Sequence, residues 1–376
     1  MTKGAGLETE IRACDRAFGK PKSVVYKFNS DLNILTGRNG SGKTTIMKLA
    51  WFIMSGNVLL ALREIDFKVC TVVTDIYTCT VTRTAPEHCK IELDLDGERT
   101  VFEDDDGEPE YEPFLESAEE KANPMIIPLG SSIFFPTFRR IEGGFSMAAN
   151  ATARARPRPN NRSEFGIDET LSTLSRKLSN QEHVFISAIS TQDVTGLLLR
   201  RYAAFSEEIN NYQADVSKNV IEKIRQYEKT QSVRQEADAL LSETRAEIEK
   251  IEEFRSETMK PLDAIWVLVE KLFQHSGISF GKRLSFGDTA DAIASDSLSA
   301  GEKQMLSFIC YNAFHKNSVI FIDEPELSLH VDWQRQLYPV LQSQDSGNQF
   351  IFATHSPFIY AKYPDKEVSI GSDRGE

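Results

Sequence analysis

Apolar and polar positions follow three different rhythms along the chain, and each rhythm predicts a different element. Ser23–Phe28 and Leu32–Thr36 are short apolar-rich runs that read as two strands joined by a turn at Asn29-Ser30-Asp31. The second runs straight into a glycine-rich loop, and Thr45–Met54 beyond it reads as a helix. Between Asp66 and Glu103 the β-branched, alternating runs Lys68–Val73, Ile76–Thr84 and Lys90–Leu95 predict an antiparallel sheet, with Asp96-Gly97 as a hairpin turn. Ser318–Asp323 and Gln349–Ala353 are instead continuously apolar, the pattern of parallel strands buried on both faces.

The third rhythm is helical. Residues 197–260 hold neither glycine nor proline, and apolar side chains recur at Tyr202, Phe205, Ile209, Tyr212 and Val216, then at Val220, Ile224 and Tyr227. A second, less apolar seam runs Leu241, Thr244, Ile248, Ile251. Two coiled-coil-like helices follow, doubling back near Lys229–Ser232, each of about 30 residues and about 45 Å. The doubling back rests on topology, because both ends must return to one head and no Gly or Pro marks the turn.

Composition narrows the class. A chain of 376 residues, 40% hydrophobic and 26% charged, can bury one large core or two modest ones. It has no long apolar run and no apolar stretch at its start, so neither membrane insertion nor export is indicated, and a cytoplasmic location is expected. The five cysteines, Cys14, Cys70, Cys79, Cys89 and Cys310, form no CxxC pair and read as reduced, buried thiols. A net charge of −13 argues against coating nucleic acid by bulk electrostatics, so the distribution of charge matters more. Glu103–Glu120 is acidic and reads as a solvated loop. Between Phe138 and Arg162 the sign reverses: Arg139, Arg140, Arg154, Arg156, Arg158 and Arg162 face the single acid Glu142. That segment reads as a mobile basic loop, either a contact for phosphate backbones or an acidic partner, or a solubilising loop.

Three segments carry candidate chemistry. Gly37-Arg-Asn-Gly-Ser-Gly-Lys-Thr44 fits the phosphate-binding pattern G-x-x-x-x-G-K-[ST], between a strand and a helix. Asn39, Gly40, Ser41, Gly42, Lys43, Thr44 and Thr45 are therefore candidate ATP contacts. The glycines let successive N–H groups wrap a phosphate, Lys43 reaches the β- and γ-phosphates, and the Thr44 hydroxyl reaches Mg²⁺. The Ser318 strand ends in Asp323-Glu324, where Asp323 is the second candidate for the Mg²⁺ shell and Glu324 the candidate that orients or deprotonates water. Leu298-Ser-Ala-Gly-Glu-Lys-Gln304 opens a helix at Glu302–Phe314, so Ser299, Gly301 and Glu302 form a candidate anion site at its start. His355 closes the Gln349 strand.

These motifs resemble the ATP-binding cassette (ABC) ATPases of the SMC, RecF and OLD group, and among them look like ATPase subunits of bacterial anti-phage systems such as Septu, PARIS and retron-associated modules. LSAGEKQ matches the signature LSxGE[KR]Q of that superfamily, and His355 resembles its γ-phosphate-sensing switch histidine. The resemblance implies an α/β ABC ATPase head, a mixed sheet with an antiparallel β lobe, carrying an inserted helical hairpin. The corresponding spans are 1–195 for the N-terminal lobe, 196–275 for the insertion and 276–376 for the C-terminal lobe. It further implies ATP hydrolysis with Mg²⁺ in a homodimer, the signature of one copy gripping the γ-phosphate held by the other, with assembly beyond the dimer left open. Pro325-Glu-Leu-Ser-Leu-His330 departs from transporter cassettes, and the resemblance makes Ser328 and His330 candidates for the dimer seam; 255 residues separate Lys43 from Ser299, where the insertion sits. The segment Phe134–Gly144 also looks like one in these ATPases, so Arg139 and Arg140 are expected to face the site or a partner. No glutamine is assigned as the Q-loop contact.

Only 21 residues follow His355, too few for the Toprim nuclease of OLD proteins. A nucleolytic or toxic step is therefore expected of a separate partner protein that the ATPase controls in anti-phage defence. DNA or structured RNA is a further candidate partner. The alternative reading is a RecF-like DNA-repair ATPase that clamps DNA.

Overall fold

The computed structural model describes residues 10–14, 24–105, 116–137, 139, 171, 173–189, 191–230, 234–273 and 299–371. Arg140, Arg154, Arg156, Arg158 and Arg162 of the basic segment lie outside the described residues, as do 106–115 of the acidic stretch, Gln231 and Ser232 of the hairpin turn, and Leu298. The chain divides into two compact units, Met1–Ser190 with Leu298–Glu376, and Thr191–Ser297.

The first unit is an α/β fold built on two sheets. β1 (Glu10–Cys14), β2 (Val24–Lys27), β4 (Val69–Val73), β5 (Tyr77–Ala85), β6 (His88–Leu95) and β7 (Glu98–Glu103) form an antiparallel sheet in the order β2-β1-β4-β5-β6-β7. β3 (Leu32–Thr36), β8 (Ser132–Phe135), β9 (His183–Phe185), β10 (Val319–Asp323), β11 (Gln349–Ala353) and β12 (Glu367–Ser369) form a parallel sheet in the order β12-β3-β11-β10-β8-β9. Along β5, Tyr77, Cys79 and Val81 are buried while the intervening threonines are half-exposed. Asp96 and Gly97 both take positive φ, 51° and 86°, as a two-residue hairpin loop requires.

The two early strands read as neighbours enter different sheets. The Asn33 side chain accepts from Asn29 N at 2.7 Å and donates to Asn29 O at 2.9 Å, closing the turn without a strand ladder. β3, buried along its whole length, then pairs with β11 and β12 instead.

α1 (Lys43–Met54) explains how the sheets share a core. Nine of its residues are buried, on every side of the helix, so it must sit between layers rather than on a surface. Trp51 meets Phe134 of β8 with ring centroids 5.6 Å apart, and the same apolar cluster continues into Cys70, Val72, Cys79, Val81, Ile91 and Leu93 of the antiparallel sheet. α2 (Val58–Glu64) follows it. The opposite face of the parallel sheet is covered by α6 (Ala300–Phe314), whose Phe308 meets Phe135 edge-on at 4.9 Å, and by α7 (Val331–Gln342), whose Tyr338 meets Phe350 at 5.8 Å. Phe134 and Phe135 thus point to opposite faces, as neighbours on a strand must. A short helix, α8 (Pro357–Tyr360), follows β11.

Part of the acidic stretch is helix rather than loop. α3 (Ala118–Ile126) starts with a capping box between Ser117 and Glu120, and Asp104 accepts from Ala118 N at 2.7 Å and from Cys89 N at 2.8 Å. Carboxylates gather there because the start of a helix presents unpaired N–H groups. Among the described residues four cysteines, Cys70, Cys79, Cys89 and Cys310, are free and buried.

The second unit contains α4 (Thr191–Thr230) and α5 (Arg234–Phe273), 40 residues each, longer than the arms expected from the pattern. They pair antiparallel: the rings of Tyr212 and Phe254 stack at 4.2 Å, and Lys223 Nζ meets Glu243 Oε1 at 2.7 Å. On α4 the seam passes through Phe205, Ile209, Tyr212 and Val216. On α5 it is displaced: Leu241 and Ile248 are 68% and 55% exposed, and the inward positions are Thr244, Glu247, Ile251 and Phe254. Glu247 fits the seam because its methylenes cover apolar surface while its carboxylate reaches Lys250 at 3.4 Å. Among the described residues no helix is long and apolar enough to cross a membrane.

Candidate nucleotide site

β3, β11, β10 and β8 are adjacent and parallel, so their C-terminal ends share one edge of the sheet. Open parallel sheets bind ligands at that edge. Four segments far apart in sequence therefore converge: the loop after β3, Thr354-His355 after β11, Asp323-Glu324 ending β10, and Thr137 with Arg139 after β8.

The loop after β3 turns through Gly40 at φ 79° and Gly42 at φ 99°, and Gly42 caps α1. A Cβ on Gly37 would stand 2.4 Å from Ile370 O, so this glycine is needed for close backbone approach. Asn39 and Gly40 are exposed; Ser41, Thr44 and Thr45 are half-buried. Lys43 is buried, and its Nζ donates to Gly37 O at 3.0 Å, to Arg38 O at 3.3 Å and to His355 Nε2 at 2.9 Å. An ammonium only donates, so Nε2 is the acceptor in that pair.

Thr44 Oγ1 donates to Asp323 Oδ2 at 2.8 Å, and Thr137 donates to the same oxygen. Asp323 Oδ1 is buried and has no hydrogen-bond partner among the described residues. An orphaned carboxylate oxygen beside a threonine hydroxyl is a hard donor set that fits Mg²⁺, an ion that keeps water and phosphate as its remaining ligands. Burial raises the Asp323 pKa despite the hydrogen bonds from Thr137 and Thr44. Glu324 is also raised, by burial and then by the charges of Asp323 and Glu326. Burial lowers Lys43, opposed by the same three carboxylates. Three acids, Asp323, Glu324 and Glu326, against two cations, Lys43 and Arg139, leave negative charge that a divalent cation would relieve.

The site also holds one residue that the sequence does not single out and one that it places only loosely. Glu326, after the proline, accepts from His355 N at 2.7 Å through Oε1 and from Thr354 Oγ1 at 2.8 Å through Oε2, pinning the end of β11. The signal available for it was a third carboxylate in Asp323-Glu-Pro-Glu326. Arg139, expected to face the site or a partner, is instead buried behind Asp323 and Glu324.

Ser299, Gly301 and Glu302 form a second group at the start of α6. Ser299 Oγ accepts from Glu302 N at 3.3 Å and Glu302 Oε2 accepts from Ser299 N at 2.7 Å, a capping box that engages the Glu302 carboxylate. A Cβ on Gly301 would stand 2.4 Å from Ser328 O, and Gln304 Nε2 donates to Pro325 O at 2.9 Å. The helix start is thereby tied to the segment that follows Glu324. Ser328 has φ 67°, and His330 is exposed at the N-cap of α7.

No curated protein matches the chain. Solved structures similar to it include the Smc head domain with an extended coiled coil bound to the C-terminal domain of ScpA from Pyrococcus furiosus (14% identity, 95% of this chain and 91% of that one, TM-score 0.36). Another is the Smc head domain with a coiled coil and joint from Pyrococcus yayanosii (12% identity, 95% and 93%, TM-score 0.37). A third is a SmcHead bound to the C-winged helix domain of ScpA (13% identity, 95% and 92%, TM-score 0.38). Residues 32–361, which include every segment of the site described above, match the family described as "AAA domain, putative AbiEii toxin, Type IV TA system". The chain belongs to this AAA-domain family.

Proposed function

We propose that the chain is an ATPase that binds ATP and Mg²⁺ at the Lys43–Asp323 edge of its parallel sheet, hydrolyses ATP in the seam between two copies, and uses the change to control a separate nuclease or toxic effector in anti-phage defence. The observation that carries the reading is the cluster itself: Lys43 bonded to His355, and next to it Thr44 bonded to Asp323, with Asp323 Oδ1 left over. Phosphate oxygens are stronger acceptors for Lys43 than two carbonyls and a ring nitrogen. Nucleotide would therefore draw the ammonium away from His355 and free that imidazole to meet the γ-phosphate. Thr44 and Asp323 would hold Mg²⁺, which neutralises phosphate charge when bound. Glu324, one residue beyond Asp323 at the same strand end, takes the proton of the attacking water as the water oxygen bonds the γ-phosphorus and the bond from that phosphorus to ADP breaks.

Sharing of the site between copies is supported by the second group. The start of α6 offers N–H groups and a helix dipole to an anion, a second phosphate-binding feature beside the P-loop motif. The family's description, which names a putative toxin of a type IV toxin–antitoxin system, supports a part in a system of two components. The test replaces Glu324 with Gln and measures mass and bound partners with and without ATP and Mg²⁺. A nucleotide-dependent dimer is expected. A variant that stays monomeric at saturating ATP, with a wild type that hydrolyses as a monomer, would overturn the shared site. Ser299→Arg is the second arm, expected to abolish hydrolysis and spare ATP binding.

A further inference from the structure

Arg139 is buried, and its guanidinium makes a fork of contacts with the backbone of the β10 edge. Nη1 donates to Asp323 O and to Pro136 O, both at 2.8 Å, and Nη2 donates to Glu324 O at 3.2 Å. Its central carbon lies 5.6 Å from the ring centroid of Phe308, on α6. Removing a cation from water costs several kcal/mol. The neighbouring carboxylates of Asp323, Glu326 and Glu324 favour the charge, yet the hydrogen bonds go to carbonyls. A cation placed only to neutralise would bond the carboxylates; one that bonds successive carbonyls fixes the backbone.

The backbone it fixes needs fixing. Glu324 has φ 48°, a left-handed conformation in which the Cβ of an L-residue crowds the backbone. Its N–H is taken by Ala353 O at 2.8 Å, and its carbonyl is shared by Leu327 N at 3.2 Å and Arg139. We propose that Arg139 is a positioning residue of the ATPase site: it holds Glu324 in the left-handed backbone from which the carboxylate is presented, and through Phe308 it links that backbone to the helix opened by Ser299 and Gly301. The inference rests on the ATPase reading above.

The test uses the full chain as wild type, Arg139→Lys, Phe308→Leu, Glu324→Gln and the Arg139→Lys/Glu324→Gln double variant. Lysine keeps the charge but one nitrogen cannot reproduce the planar fork. Arg139→Lys is expected to keep its Kd for ATP within about threefold while kcat falls about 10²-fold, the loss typical of a catalytic group displaced by an ångström. Phe308→Leu, which keeps volume and loses the aromatic face, is expected to lower kcat about threefold with Kd unchanged, and it decides the matter if Arg139→Lys does not fold. In the Glu324→Gln background, Arg139→Lys is expected to change the residual rate by less than about twofold, since residues acting as one unit are not additive. Wild-type turnover in Arg139→Lys, a loss of ATP binding parallel to that of kcat in a folded Arg139→Lys, wild-type turnover in Phe308→Leu, or a fully additive double variant would overturn the inference. A wild type without ATP turnover would sink the ATPase reading itself, before any variant is compared.

Discussion

Both carboxylate oxygens of Glu326 are engaged by the strand beside its own, one by His355 N and one by the Thr354 hydroxyl. The residue is therefore a brace for His355 rather than a contact for nucleotide. Glu326→Gln should be tolerated, because its amide oxygen can face His355 N while its NH₂ donates to a hydroxyl able to accept. Glu326→Leu takes the acceptor from His355 N and from the buried Thr354 O–H, with a stability loss of about 1–3 kcal/mol. Its turnover should fall about 10²-fold as His355 moves. Urea denaturation and steady-state ATPase assays on the pair check this, and equal activity in the two variants would refute it. The contrast with Lys43 and Asp323 shows what a chain reveals about its site. Gly37–Thr44 and Asp323-Glu324 were legible because the spacing of their residues is itself the chemistry. Glu326 was not, and Arg139 was only as a residue facing the site or a partner, because their roles are set by partners distant in sequence, for Arg139 184 residues away.

The start of α6 is the element on which the two-copy reading depends, and Gly301 is its tightest point. Ser328 O, which a Cβ there would approach to 2.4 Å, is backbone and cannot swing aside. Gly301→Ala should therefore shift the α6 start or the 325–328 segment, lowering hydrolysis about 10²-fold while ATP binding at Lys43 persists. Equilibrium nucleotide binding and turnover measured together distinguish this from general unfolding, which would remove both. At this scale long patterned elements were readable and short ones were not. β9 and β12 have three residues each, and they are strands only because β8 and β3 are there to pair with them. On α5, hydrophobicity favoured Ile248 for the seam, but the 3-4 spacing back from Phe254 and Ile251 lands on Glu247, and geometry decides.

At the scale of the molecule, every residue of the candidate site belongs to the first unit, and the helical hairpin was visible as a long run free of Gly and Pro. The division of strands between two sheets was not visible, since it is set by side chains such as Asn33 closing a turn locally. Tyr212 and Phe254 face each other, so removing residues 213–253 and joining the stumps through a short Gly-Ser link preserves helix pairing. The shortened chain should bind ATP with a Kd within about threefold of the full chain, measured by calorimetry, and a larger loss would mean the hairpin contributes to the site. The strand order carries a last consequence for how the protein is made. β3, which leads into the phosphate loop, has β11 and β12 as its sheet neighbours. On the ribosome its five buried residues, Leu32–Thr36, wait without a partner until residues 349–369 have been synthesised. Such long-range pairing is slow and leaves an apolar strand edge open to misassembly, which makes that edge a natural ligand for a chaperone. A nascent chain with an intact phosphate loop lacks most of the candidate site until the sheet closes.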